Sequence, residues 1–142
     1  MPKTAIAFGS FDILHPGHLH YLKGASRYGK LTVVVARDKS VEKLKGKRPV
    51  LDEKSRLDII SALRFVDRAV LGDRIDKWND IYRVLIRYKP DYIVLGYDQK
   101  VDMKYLMHFI DENNLGSRIV RLKPFGASGF KSRKLKRLLK IA

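Results

Sequence analysis

Short apolar runs alternate with amphipathic stretches along the whole chain, and this alternation constrains the fold more than any other feature. Ala5-Ile6-Ala7-Phe8 is apolar and is followed by Gly9. Leu31 to Ala36 reads LTVVVA, a β-branched run without charge, and is the clearest strand. Ala69 to Gly72, Tyr92 to Leu95 and Ile119 to Leu122 repeat the pattern. Between these runs the apolar residues take helical spacing. Gly17 to Tyr28 places Leu19, Leu22 and Ala25 on one face, and Glu53 to Leu63 does the same with Leu57, Ile60 and Leu63. Asp52 stands where it can cap the second of these helices. Lys77 to Tyr88 is predicted as a helix that stops before Lys89-Pro90. Met103 to Glu112 reads as another, and Ser132 to Lys140 as a closing basic helix. Strands that alternate with helices predict a parallel sheet covered on both faces, joined by right-handed crossovers. The expectation is a single α/β domain over residues 1–142, a three-layer sandwich around a five-stranded parallel sheet.

Composition narrows the setting. Hydrophobic residues make up 45% and charged residues 32%, the balance of a globular chain. No apolar run is long enough to span a bilayer. Met1-Pro2-Lys3-Thr4 leads directly into a strand, so no signal peptide is expected and the protein reads as cytoplasmic. With no Cys there is neither a disulfide framework nor a Cys-based metal site. Lys and Arg number 30 against 15 acids, a net charge of +15. Nine of the bases and no acid fall between Arg118 and Ala142. Such a surface attracts polyanions: nucleotides, nucleic acid or acidic membrane. The tail shows no RNP, KH or helix-turn-helix pattern and no aromatic interleaving beyond Phe130. A nucleic-acid-binding module therefore ranks behind a small anionic substrate. A membrane-surface role ranks lower still, because the apolar face of the tail is short.

Ligands of parallel sheets bind outside the carboxyl ends of the strands. That directs attention to the loops after Phe8, Ala36 and Leu95. The first reads Gly9-Ser10-Phe11-Asp12-Ile13-Leu14-His15-Pro16-Gly17-His18. Two histidines straddle a Pro-Gly at the mouth of a helix. The helix N-terminus offers N–H groups and a positive dipole end that suit phosphate. Two imidazoles beside it can donate hydrogen bonds as negative charge builds on phosphate oxygens, without a covalent nucleophile. Neither G-x-x-x-x-G-K-[ST] nor G-x-G-x-x-G occurs, so the P-loop and the dinucleotide fingerprint are excluded. His20 lies two residues past His18, on another helical face, and no Cys or further His cluster accompanies it. No metal site is assigned to these histidines. Lys39 to Pro49 is polar and charged and reads as a mobile surface loop.

The GSFDILHPGH segment resembles the HxGH signature of the cytidylyltransferase-like nucleotidyltransferases. The resemblance runs on through Leu44-Lys45-Gly46-Lys47-Arg48-Pro49-Val50, Glu53-Lys54-Ser55-Arg56-Leu57, and Lys89-Pro90-Asp91-Tyr92-Ile93-Val94-Leu95-Gly96-Tyr97-Asp98-Gln99. Within that group the chain is most similar to the archaeal-type FAD synthases. The resemblance implies a Rossmann-like fold, a possible homodimer, and a reaction that joins a nucleoside triphosphate to a phosphomonoester and releases pyrophosphate with Mg2+. For this branch the substrates would be ATP and FMN. The alternatives are a glycerol-3-phosphate cytidylyltransferase or another phosphomonoester nucleotidyltransferase.

By position, the resemblance implies that Ser10, Phe11, His15, Pro16, Gly17 and His18 line the ATP site. His15 and His18 would stabilise charge at the α-phosphorus. Lys45 and Lys47 would neutralise the leaving pyrophosphate, Asp98 would contact the sugar or base, and Arg56 would support the site. Each role has a plainer rival. Lys45 and Lys47 are otherwise solvated loop charges, Arg56 a partner of Glu53 or Asp52, and Asp98 a turn residue. Asp12 either caps the first helix or touches substrate, and Phe125 either stacks on adenine or packs. Trp78, Tyr82 and Tyr88 read as helix-face packing. Relatives often carry a run of hydroxyl residues before the last helix, where this chain has Lys131-Ser132-Arg133. Ser132 keeps a capping and phosphate-binding role, while Arg133 leaves the identity of the second substrate open.

Overall fold

The computed structural model describes residues 2–124. Its strands are β1 (Thr4–Gly9), β2 (Lys30–Val35), β3 (Arg68–Leu71), β4 (Tyr92–Leu95) and β5 (Arg118–Arg121). They form one sheet in the order β3-β2-β1-β4-β5, and every pairing is parallel. The helices are α1 (Pro16–Ser26), α2 (Asp38–Lys45), α3 (Glu53–Ser61), α4 (Val84–Tyr88) and α5 (Met103–Glu112). The expected α/β sandwich with a five-stranded parallel sheet is thus the observed architecture.

The period-two geometry of a strand sends alternate side chains to opposite faces. Ala5 and Ala7 of β1, with Leu31, Val33 and Val35 of β2, join Leu22 and Ala25 of α1 and Ile60 of α3 in one core. Ile6 and Phe8, with Val34 and Ile93, join Leu85 of α4 and Leu106 and Ile110 of α5 in the other. A sheet buried on both faces needs apolar residues on both, which is why LTVVVA has no polar alternation.

Two elements differ from expectation. The expected loop over 39–49 opens as helix α2, closed by Gly46 with φ near +81°. Its sequence is too polar to signal a helix by periodicity. Tertiary contacts hold it instead: Glu53 Oε1 accepts the Asp38 N–H at 3.0 Å, and Arg56 grips the Asp38 carboxylate. The single helix expected over 77–88 is split. Trp78–Arg83 is a 3-10 helix, and only Val84–Tyr88 is α-helical. Asp80 causes the tight start, because its carboxylate accepts the N–H groups of Asp76 and Lys77 at 3.0 and 3.1 Å. The predicted basic helix over Ser132 to Lys140 lies outside the described residues. No helix among the described residues is long and apolar enough to cross a membrane.

Candidate active site

The sheet order places β1 beside β4, and this is where the chain changes direction across the sheet. The two strands pair only through Ala5–Tyr92 and Ile6–Ile93, whereas β1 and β2 stay paired from Thr4 to Gly9. Beyond Ile6 two side chains bridge the gap. The Tyr21 hydroxyl accepts the Phe8 N–H at 3.1 Å and donates to the Val94 carbonyl at 2.7 Å. The Gln99 amide donates to the Phe8 carbonyl at 2.8 Å and accepts the Gly96 N–H at 2.8 Å. Burial holds the Tyr21 hydroxyl far above its ordinary pKa, so it remains protonated and able to donate. A crevice opens here, as the topology of parallel sheets requires. It belongs to a cavity of about 980 Å³.

Helix α1 starts at the cavity wall, and histidines form its capping box. His15 is the N-cap, and its Nδ1 accepts the Gly17 N–H at 3.1 Å. His18 Nδ1 accepts the His15 N–H at 3.3 Å. Ordinary capping boxes use Ser or Thr with Glu. Here each imidazole accepts with Nδ1, so the neutral ring carries its hydrogen on Nε2. Pro16 fixes the backbone of the first helical position, which needs no N–H. The rings stack with centroids 3.8 Å apart and planes 21° apart.

Both histidines are held neutral. Burial lowers the His15 pKa, partly offset by the negative charge of Asp98. Burial, then the neighbouring His15 and Lys45, bring His18 down to about 3, with Asp12 opposing. At neutral pH the pair is therefore two neutral rings rather than two cations.

The β1–α1 loop is fixed from behind. Arg56 of α3 is fully buried. Its guanidinium donates to the carbonyls of Ser10 and Ala36 at 2.7 Å each, to the Leu51 carbonyl at 3.0 Å, and to the Asp38 carboxylate at 2.7 Å. It thus ties the ends of β1 and β2 to α2, and its ion-pair partner is Asp38 rather than Asp52 or Glu53. Asp12 is buried, and its two oxygens accept the Val50 and Leu51 N–H groups at 2.8 Å each. It anchors the loop before α3 and does not cap α1, whose cap is His15. Phe11 takes a left-handed backbone with φ near +52° and turns its ring under Gly9. A Cβ at Gly9 would lie 2.6 Å from Phe11 Cζ, so only glycine fits. The Phe11 ring packs edge-on against His18 at 5.4 Å.

Ser10, Phe11, His15, Gly17, His18, Lys45 and Asp98 all line the cavity. Lys45 Nζ lies 3.4 Å from Ser10 Oγ, so α2 brings a cation to the β1–α1 loop. Pro16 and Lys47 are exposed and off the wall. His20, expected on another face, is nonetheless part of the rim. Phe125 and Ser132 lie outside the described residues.

The model of the cytidylyltransferase-like family matches residues 6–136. This chain belongs to the cytidylyltransferase-like family. Curated relatives carry the name FAD synthase. The protein of Thermoplasma acidophilum is 45% identical over 121 residues, covering 84% of this chain and 82% of the relative. That of Methanothermus fervidus is 42% identical over 127 residues, covering 87% and 84%. Among solved structures, a Thermoplasma volcanium protein described as a lipopolysaccharide core biosynthesis protein superposes with a TM-score of 0.81 at 44% identity, covering 89% of this chain and all of that one. Pantoate-beta-alanine ligase from Francisella tularensis shares the fold, with a TM-score of 0.70 at 11% identity, over 95% of this chain and 65% of the ligase.

For a cytidylyltransferase-like chain, the HxGH histidines were legible in sequence, and their supports were not. Tyr21, Gln99 and Arg121 hold the site without announcing it. Arg121 donates to the Gly96 and Gln99 carbonyls at 2.8 and 3.0 Å, fixing the loop that carries Asp98. Tyr21 stands three residues after His18, the spacing of one helix face, and that was its signal. Trp78, expected to pack, is 52% exposed on the cavity wall.

Proposed function

We propose that this chain is an FAD synthase, transferring AMP from ATP to FMN to give FAD and pyrophosphate. The observation that carries the reading is the pair of capping histidines, held neutral with Nδ1 accepting from the backbone, at the start of a helix that faces a cavity of about 980 Å³. The relatives of the same family supply the substrates.

In the reaction an oxygen of the FMN phosphate forms a bond to the α-phosphorus of ATP. The bond from that phosphorus to the bridging oxygen breaks, and its electrons leave with pyrophosphate. A phosphomonoester is already ionised near neutral pH, since its second pKa is about 6. The nucleophile therefore needs no base, and neutral donors are the right groups to supply. His15 and His18 donate to oxygens of the transferring phosphoryl, together with N–H groups at the start of α1. Lys45 sets its charge against the departing pyrophosphate, and Lys47 adds positive charge beyond the end of α2. Ser10 and Gly17 contact the phosphates, and Asp98 contacts the nucleoside.

A divalent ion, expected as Mg2+, fits this site as a companion of the ATP phosphates. No group of three or more potential ligand side chains exists among the described residues, and magnesium is commonly held by one or two carboxylates plus substrate phosphates. Asp98 lines the cavity across from the histidines' helix start and is a carboxylate that would share the ion. Its chemistry there is to neutralise phosphate charge.

The test offers ATP or CTP with FMN or glycerol 3-phosphate, in the presence of Mg2+. The product is identified by mass. FAD and pyrophosphate from ATP plus FMN are the expected outcome. A CDP-linked product would retain the chemistry and overturn the substrates.

A further inference from the structure

We propose that Tyr21 is a positioning residue of the transfer reaction: its hydroxyl, with the Gln99 amide, sets the spacing between the histidines that follow β1 and Asp98, which follows β4. The inference rests on the FAD synthase reading and deepens it at the same site. Three observations carry it.

The sheet is split along one seam. β1 stays paired with β2 as far as Gly9–Val35, and β4 stays paired with β5 as far as Leu95–Arg121. Between β1 and β4 the register stops at Ile6–Ile93. Each half of the sheet is held by its own ladders, and the seam between the halves opens toward the cavity. The reacting groups stand on opposite sides of it. His15 and His18 follow β1, and Asp98 follows β4. In the proposed reaction Asp98 contacts the nucleoside and the histidines contact its α-phosphate. One substrate is therefore held from both halves at once.

Side chains stand in for the missing ladder, bond for bond. Carrying the Ile6–Ile93 register two residues further would pair Phe8 with Leu95. In a parallel ladder that pairing would run from the Phe8 N–H to the Val94 carbonyl and from the Gly96 N–H to the Phe8 carbonyl. Each of these links carries an inserted side chain. The Tyr21 hydroxyl accepts the Phe8 N–H at 3.1 Å and donates to the Val94 carbonyl at 2.7 Å. The Gln99 amide accepts the Gly96 N–H at 2.8 Å and donates to the Phe8 carbonyl at 2.8 Å. The strands part by a defined step, and the four backbone groups keep their hydrogen bonds.

Tyr21 also braces the histidine side. It stands three residues after His18 on α1, and its ring stacks on Phe11 with centroids 6.4 Å apart. Phe11 in turn lies edge-on to His18 at 5.4 Å. One buried residue thus touches β1, β4 and the support of His18. Gln99 directly follows Asp98, and Arg121 of β5 holds the carbonyls of Gly96 and Gln99. A shift of the seam therefore moves Asp98 relative to the histidines, and a misplacement of about 1 Å can cost about a hundredfold in rate.

The experiment measures steady-state FAD formation by wild type, Tyr21→Phe, Gln99→Met, Asp98→Ala and the double variant Tyr21→Phe/Asp98→Ala, each shown to be folded by circular dichroism. Tyr21→Phe keeps the ring and removes the hydroxyl. It is expected to lower kcat/KM for ATP by about tenfold or more, with KM for FMN changed by less than about twofold. Gln99→Met should change the same parameter in the same direction. In the Asp98→Ala background, Tyr21→Phe should cost less than about twofold, because the hydroxyl acts on the nucleotide through the loop that carries Asp98. An equal loss in both backgrounds would make the hydroxyl a structural bond and overturn the inference. A wild-type kcat/KM for ATP in Tyr21→Phe would overturn it too, as would a loss confined to KM for FMN. If Tyr21→Phe does not fold, Gln99→Met, at a half-buried position, takes its place in the same cycle with the same outcomes. With an active wild type these results bear on the positioning role alone. A wild type that makes no FAD would overturn the function and the positioning role together.

Discussion

The two ends of the sheet solve the same problem in opposite ways. At the amino end, side chains tie strands and loops together. Asp91 accepts the Thr4 N–H at 2.9 Å, and its own N–H donates to the Thr4 hydroxyl at 3.1 Å. Asp67 accepts the Leu31 N–H at 2.7 Å. At the carboxyl end, Tyr21 and Gln99 bridge β1 and β4 where the ladder has stopped, and Arg56 gathers carbonyls from three segments. Side chains supply hydrogen bonds at both ends. The second end opens onto the cavity of about 980 Å³, with His15 and His18 on its wall. Strands that part early need side chains to hold them apart, and those side chains frame the site.

Mutations should separate the two ends. The largest effect is expected from His18→Ala, which removes an aimed donor. Turnover should fall by about a hundredfold to a thousandfold, read by pyrophosphate release, with the fold retained by circular dichroism. Near-normal turnover would dissolve the distinction between the ends. Arg56→Met comes next and acts on stability. It leaves the Asp38 carboxylate without its closest charge partner and three carbonyls without this donor, at a cost of about 3–5 kcal/mol in urea unfolding. Arg56→Lys should rescue little, because an ammonium cannot reproduce the fork. Asp91→Ala is the smallest change. It should cost about 1–2 kcal/mol while turnover stays near wild type, since the tie it breaks lies at the far end of the strands. A large loss of turnover in Asp91→Ala would show that the amino end also controls the site.

Legibility in the sequence followed the source of each element's stability. β2 and α5 were readable because their own residues decide them: an uncharged β-branched run, and a helix whose N-cap Asp102 accepts the Tyr105 N–H. Helix α2 was not, because Arg56 and Glu53 hold its first residue from α3. Its one local signal was Gly46, a left-handed stop after Lys45. The split of 77–88 depended on where a single carboxylate, Asp80, would point. In the site, the histidines showed as a motif, because His15 and His18 stand three apart within one continuous segment, GSFDILHPGH. Asp12 was ambiguous by sequence, since its partners Val50 and Leu51 lie far along the chain. Gln99 and Arg121 were invisible for the same reason, as their partners are backbone carbonyls brought near by the sheet.

The double-histidine start of α1 sets the residue type twice over. Each imidazole accepts from the backbone on one edge and can donate from the opposite edge. Serine or aspartate would start the helix but extend nothing toward a phosphate. Lysine would reach a phosphate but accepts nothing, so the first turn would lose its cap. An amide carries both functions on one carbon, too close together to face two directions. Screens that select these two positions for folding and for turnover would therefore disagree on every replacement. Histidine is the compromise that both would accept.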